Sequence, residues 1–202
     1  MMSLTSEEKI IQASMEEFAE FGYSGGRIDR IAERAGINKA MIYYHFKGKE
    51  ALYVRILNDT TGAIYNYIVS NLPDNDDPLE LINGIASLFM DYLYSVDLNF
   101  VRIMLREIAN GGQYMKDVIF PNVTLPIISM FSNAVAKART NGQIKDIDPL
   151  YTFFQMFGSV VFFNALRIIL SGTAIHDEMF KGDFIERYKD NLFLILNEGI
   201  KK

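Results

Sequence analysis

The chain has 202 residues, half of them apolar and 22% charged, so a sizeable core is available and wholesale disorder is excluded. It has no cysteine, which removes disulfides, thiolate zinc sites, thiol nucleophiles and iron–sulfur clusters together, and only two histidines, His45 and His176, which excludes a multi-histidine metal centre. The net charge of −5 argues against a general nucleic-acid coat but is silent about a local basic patch. The opening MMSLTSEEK has no apolar signal core, so secretion is not expected and a cytoplasmic setting is.

Helical punctuation recurs along the chain and no alternating strand pattern accompanies it. Thr5 with Glu8 forms a capping box that starts a helix. Ile11, Met15, Phe18 and Phe21 recur at helical spacing within it, and Gly22 is its natural stop. A second helix carries Ile28, Ile31, Ala32 and Ala35 on one stripe and ends at Gly36. A third, short one starts at the N-cap Asn38, keeps Ile42 and Phe46 inward, and breaks at Lys47-Gly48. A longer helix follows over 49–71. The segment Pro73 to Pro78 is the clearest turn, and Asp77-Pro78-Leu79-Glu80 restarts a helix at once.

Further helices are expected over 79–95, 98–110, 114–141, 149–171 and 182–200, with Pro121 and Pro126 kinking or splitting the third of these. Leu150 to Leu170 is long and apolar enough to span a membrane, but it contains Gln155, Asn164 and Arg167. It reads instead as a helix buried on nearly all sides in a core or subunit interface. The fold class is all-α, about nine helices.

Charge is unevenly spread. Residues 1–23 hold Lys9 against Glu7, Glu8, Glu16, Glu17 and Glu20. Residues 24–55 hold Arg27, Arg30, Arg34, Lys39, Lys47, Lys49 and Arg55 against Asp29, Glu33 and Glu50. A basic strip thus lies over the two short helices. Joined by Ala35-Gly36-Ile37-Asn38, those helices have the dimensions of a helix-turn-helix. With Ile42 and Phe46 inside, Lys39, Ala40, Tyr43, Tyr44 and His45 stay largely outside. Exposed tyrosines flanked by lysines suit a surface that packs against sugars, phosphates and thymine methyls.

Gly22-Tyr23, Ile31-Ala32-Glu33-Arg34-Ala35-Gly36-Ile37 and the run Asn38 to Leu52, with Ile42-Tyr43-Tyr44-His45-Phe46 at its centre, closely resemble the DNA-binding domain of the tetracycline-repressor (TetR) family over residues 5–55. The resemblance implies an N-terminal three-helix helix-turn-helix DNA-binding domain, residues 1–48. A larger C-terminal helical ligand-binding and dimerisation domain would take 49–202. It implies that Lys39 and Ala40 approach base edges, that Tyr43, His45 and Lys49 contact phosphates, and that Tyr44 reaches bases or phosphate. Asn38 belongs to the same surface. Two departures stand out. Gly26 replaces a common threonine, so its phosphate contact is lost or passes to backbone N–H groups or Arg27, and Met41 stands where Thr or Asn is frequent. The implied partners are a double-stranded palindromic DNA operator, a small and largely apolar effector, and a second copy of the chain.

Other constellations are weaker. His176-Asp177-Glu178 are adjacent and cannot share one helical face, so neither catalysis nor metal binding is expected there. Ser24-Gly25-Gly26 lacks the strand and lysine of a phosphate loop. No metal or cofactor is expected, nor catalytic residues. Arg102 and Arg106 could line a pocket for an anionic ligand or form a solvated face; Phe89, Phe131 and Phe157 are the apolar candidates for the effector site. Phe153, Phe157, Val160, Val161 and Asn164 of one helix and Leu192, Ile195 and Leu196 of another are the expected dimer face, with Arg167 at its rim or paired to Asp190 or Glu198. The function expected is that of a transcriptional repressor released by its effector. The alternatives are a DNA-binding interaction protein without effector, and an enzyme or carrier of apolar molecules.

Overall fold

A computed structural model describes residues 4–74 and 76–201. Asn75, in the turn expected between Pro73 and Pro78, lies outside them. Ten α-helices and one π-helical segment make up the described chain: α1 (Ser6–Gly25), α2 (Ile28–Ala35), α3 (Lys39–Phe46), α4 (Lys49–Asn71), α5 (Pro78–Ser95), α6 (Leu98–Ala109), the π-helical segment Met115–Thr124, α7 (Leu125–Thr140), α8 (Pro149–Ile169), α9 (Ala174–Met179) and α10 (Phe184–Ile200). The caps read from the sequence are in place: the Thr5–Glu8 box closes in both directions, and Asn38 and Asp77 each accept a backbone N–H, as Asp148 does at the start of α8.

Three local outcomes differ from the expectation. Helix α1 is interrupted at Gly22 (φ 68°, ψ 177°) and then resumes to Gly25 instead of stopping. The two prolines do split the 114–141 stretch, but its first part is π-helical around Pro121, whose missing N–H and ring bulk disfavour the tighter α register. The short helix α9, capped by the Thr173 hydroxyl, was not foreseen because six residues carry too little periodicity to register.

The chain divides into two compact units. The first comprises Met1–Gly62 with Asp97–Pro121; the second comprises Ala63–Val96 with Asn122–Lys202. A boundary at residue 48 is therefore not where the chain divides. The N-terminal part of α4 and the whole of α6 belong to the same unit as the helix-turn-helix, and α6 packs on α1. The core of the first unit is built by Ile10, Phe18, Ile31, Ile42, Leu52, Tyr53, Ile56, Leu57 and Ile103, all nearly or completely buried. That core is what lets an eight-residue helix such as α3, too short to persist alone, hold its shape.

The second unit is built on Ile64, Ile68, Ile82, Ile85, Phe131, Val135, Phe153, Met156 and Phe157. A smaller cluster of Met90, Leu93, Tyr94 and Val160 lies beside Phe163, Phe184 and Tyr188. Pro149–Ile169 and the combined run Met115–Thr140 are long and apolar enough to cross a membrane. Helix α8 is not enclosed on all sides, as expected from its composition. It buries Phe153, Met156, Phe157, Val160, Asn164 and Ala165 and leaves Tyr151, Phe154, Val161 and Phe162 exposed.

Candidate nucleic-acid interface

Helix α2 ends at Gly36, whose left-handed conformation (φ 66°, ψ 36°) lets the chain reverse into α3 without a Cβ clash. Ile37 is half-buried behind that turn, and its N–H donates to the Ala32 carbonyl. Asn38 begins α3 by accepting the Ala40 N–H through Oδ1 at 2.9 Å. Ile42 and Phe46 then face the core, which fixes the helix's rotation. Lys39, Ala40, Met41, Tyr43 and Tyr44 are left outside, with Tyr44 80% and Tyr43 49% exposed. Two large aromatic side chains held in water on a short helix are not explained by packing. They offer flat apolar faces and phenol groups to a partner.

The N-terminus of α2 adds a second feature. Its N-cap residue is the exposed Arg27, and no side chain caps the first turn. The first-turn N–H groups are therefore open to an anion, with a guanidinium beside them. Gly26 explains the missing threonine: a Cβ there would lie 2.7 Å from the Phe18 ring. The backbone is pressed against the core where a hydroxyl would otherwise sit.

The remaining cations are more constrained than their sequence positions suggest. Glu17 on α1 is fully buried and accepts the Arg27 N–H at 3.0 Å and Arg30 Nε at 2.7 Å, while Arg34 Nε lies 3.4 Å from its other oxygen. Arg34 also pairs with Glu20 at 2.5 Å, which raises its pKa further. Arg55 pairs with Asp59 and Glu7. The acidic surplus of α1 and the basic surplus of α2 thus meet inside one scaffold. Lys39 Nζ is 2.6 Å from Asp29 Oδ1. Lys49 Nζ donates to the Gly26 carbonyl at 3.2 Å and sits 4.5 Å from the centre of the Tyr23 ring, so it braces the α1–α2 connection rather than projecting freely. His45 is half-buried with Nε2 enclosed and without a hydrogen-bond partner among the described residues. A phosphate contact from its Nε2 does not follow from this placement. Arg27 and Lys47 remain exposed with no ion pair among the described residues. Lys47 itself holds a left-handed conformation (φ 59°) at the C-cap of α3.

The residues proposed from sequence for an effector fall into two groups. Arg102 is exposed and donates to Asn99, as a solvated face would. Arg106 donates through Nε to the Ala19 carbonyl at 2.8 Å and through Nη2 to the Glu20 carbonyl at 2.6 Å, capping α1 where Gly22 interrupts it. Both arginines belong to the first unit, whereas Phe89, Phe131 and Phe157 pack with Phe153 in the core of the second. Phe153, Phe157, Val160 and Asn164, expected at a dimer face, are buried within the second unit; Leu192 and Leu196 are half-buried, and only Val161 and Ile195 of that set are exposed. Arg167 has no carboxylate partner among the described residues. It donates to the Tyr94 carbonyl at 3.3 Å and to Asn164 Oδ1 at 3.1 Å, while Asn164 donates to the Leu93 carbonyl, so the two close the C-terminal end of α5.

Comparison with known proteins bears on this interface directly. The family described as bacterial regulatory proteins, tetR family, matches residues 10–56. The HTH-type transcriptional regulator RutR of Escherichia coli is 26% identical over 195 residues, 95% of this chain and 89% of its own length. The HTH-type transcriptional repressor NicS of Pseudomonas putida is 25% identical, over 91% of this chain and 88% of its own. The solved FadR regulator of Bacillus subtilis, in complex with stearoyl-CoA, has the same fold with a TM-score of 0.72 at 19% identity, covering 95% of this chain and 97% of that one. The helix-turn-helix found by the family match is the one whose outer face carries Tyr43 and Tyr44, and the likeness to whole regulators runs through nearly all of the remaining chain. Residues 10–56 thus carry the tetR-family helix-turn-helix, and the chain around it is that of a DNA-binding transcriptional regulator.

Proposed function

We propose that this regulator is a repressor that binds a two-fold symmetric operator as a homodimer and is released by a small, largely apolar effector. The observation that carries the DNA half is the outer face of α3, where Lys39, Ala40, Tyr43 and Tyr44 stand exposed over the buried pair Ile42 and Phe46. Such a helix enters a major groove with its N-terminal residues on base edges, while the open first turn of α2 with Arg27 takes a flanking phosphate. Dimerisation is supported by the outward faces of α8 and α10. Tyr151, Phe154, Val161 and Phe162 recur at helical spacing on one, and Leu194 and Ile195 lie on the other. Exposed apolar side chains recurring on two helices mark an interface, and a two-fold axis would cover them with their own copy.

The effector reading rests on the second unit. Within its isoleucine-rich interior Phe89, Phe131, Phe153 and Phe157 form a chain of ring contacts that a flexible apolar ligand can part. A cleft of about 180 Å³ is lined by Leu72, Leu81, Ile85, Met130, Asn133, Ala134 and Lys137, an apolar floor with an amide and an ammonium at its edge. Stearoyl-CoA in the structural relative has the matching combination of apolar chain and anionic head. The test is a titration with long-chain acyl-CoA and with free fatty acid, read by melting temperature and by release from a DNA site selected from random duplexes. A raised melting temperature together with loss of DNA retardation is expected. Retardation that every ligand leaves unchanged would favour a regulator that works without an effector.

A further inference from the structure

We infer that Asp29 is a specificity-determining residue of this regulator, acting with Lys39 as a donor–acceptor clasp that reads a G·C base pair and keeps the lysine off the phosphates. The clasp is the 2.6 Å contact between Lys39 Nζ, on the first residue of the recognition helix, and Asp29 Oδ1, in the first turn of α2. Both side chains are open to solvent: 74% exposed for Asp29 and 45% for Lys39. This inference rests on the DNA-binding function of α3.

Folding does not account for the pair. An ion pair this exposed adds little to stability. A lysine at the positive end of α3 is in an unfavourable field, and α3 has no acid of its own in the first turn to offset it. A carboxylate on a surface that approaches DNA also repels phosphates, so it lowers affinity wherever nothing compensates it. What the arrangement does fix is the place and use of the ammonium. A lysine at the end of four free methylenes finds whichever phosphate is nearest; one held at Asp29 presents its charge at the α2–α3 edge, beside an acceptor.

That juxtaposition has a base-pair complement. In the major groove a G·C pair offers the guanine N7 and O6 acceptors next to the cytosine N4 amino donor. Lysine donating to both guanine N7 and O6 while aspartate accepts from cytosine N4 satisfies all three groups, and an A·T pair, with its donor between two acceptors, does not present two adjacent acceptors to the ammonium. On random sequence the lysine must choose between Asp29 and a phosphate, and keeping Asp29 costs the protein one phosphate contact. The clasp therefore raises selectivity by weakening the wrong complexes more than the right one.

The experiment compares the full-length protein with Asp29→Asn, Lys39→Ala and the double variant. Each is titrated against a duplex selected by the unmodified protein and against a random duplex at several salt concentrations. Asp29→Asn should bind random DNA more tightly, by up to about tenfold near 0.1 M salt, with the salt slope steeper by about one per protomer. The selected site should gain less, so discrimination narrows severalfold, by less than the gain on random DNA. In the Lys39→Ala background the same Asn substitution should leave the salt slope unchanged. Substituting each operator position in turn should show that both single variants lose preference at the same G·C pair. Three results would overturn the proposal: equal gains on both duplexes, a steepening of the salt slope by Asp29→Asn that persists without Lys39, or weaker binding of Asp29→Asn to both with a melting temperature lowered by several degrees. An unmodified protein that selects no site would instead overturn the DNA-binding reading on which the clasp rests.

Discussion

Lys47 shows two demands meeting at one side chain. It holds a left-handed backbone that favours glycine, at a strain of about 1 kcal/mol, yet it is one of the two exposed cations near α3 without an ion pair among the described residues. Lys47→Gly should therefore raise stability by about 1 kcal/mol while weakening DNA binding and flattening its salt dependence. Urea midpoints and DNA titrations on the same preparation check both directions; a glycine variant that is less stable would mean the strain is illusory. Tyr94 gives a second decoupling. Its hydroxyl is buried without a hydrogen-bond partner among the described residues, and burial pushes its pKa well above the usual 10.0. Because the folded phenol resists ionisation, its contribution is intact below pH 10 and is lost as pH rises above that value, where the unfolded chain ionises first. Tyr94→Phe removes a desolvated hydroxyl and the alkaline penalty together. It should stabilise by about 0.5–2 kcal/mol at pH 7 and flatten the fall in stability between pH 9 and 11.

Which residues were legible in the sequence follows from how local their causes are. Asn38, Ile42, Phe46, Tyr43 and Tyr44 could be placed because caps and a four-residue spacing fix them within one turn of chain. Glu17 could not. Its partners Arg27, Arg30 and Arg34 lie ten or more residues away and on another helix, so a basic strip in the sequence becomes a largely neutralised scaffold in the fold. Asp29 and Gly26 escaped for the same reason, since their meaning lies in Lys39 and Phe18.

At the scale of elements, α8 is the instructive case. A helix apolar nearly all round has no phase that a sequence can reveal, so nothing in its pattern separates Phe153, Phe157, Val160 and Asn164, the residues expected at the interface, from Tyr151, Phe154 and Phe162. Only packing against α5 and α7 separates the inward set from the outward one. The separation makes a sharp experimental contrast. Phe162→Glu on α8 or Ile195→Glu on α10, both more than 60% exposed, should give folded chains that sediment as monomers and retain little operator affinity. Val160→Glu places a charge in the core and should unfold the second unit instead. Sedimentation and circular dichroism distinguish the two outcomes, and folded dimers from both exposed-site variants would remove this face from the interface. Helix α6 carries the complementary lesson. Nothing in its own pattern says that Arg106 and Glu107 serve the reading unit. Arg106 closes the carbonyls left by the break at Gly22, and Glu107 accepts the Tyr53 hydroxyl at 3.2 Å and the Tyr114 N–H at 2.7 Å.

For the whole molecule, the balance of charge sets how it should meet DNA. An acidic chain of net −5 carries seven cations between residues 24 and 55. Arg30, Arg34, Lys39 and Arg55 are ion-paired, and Lys49 is held by a carbonyl and a ring, which leaves Arg27 and Lys47 free to displace counterions. Each phosphate neutralised on duplex DNA contributes about 0.9 to the slope of log affinity against log salt. Two free cations per protomer in a dimer therefore predict a slope near −4. If all seven were available on each protomer, the slope would be about −12 or steeper. The rest of the affinity must come from contacts that release no counterions: the phenols and ring faces of Tyr43 and Tyr44, and the open N–H groups at the start of α2. Such contacts survive added salt. The protein should hold its selected site at ionic strengths that strip it from random DNA, and titrations from 50 to 400 mM salt measure both slopes. A slope steeper than about −8 on the selected site would mean that the internal pairs open on binding, and that the scaffold between α1 and α2 is itself rearranged by DNA.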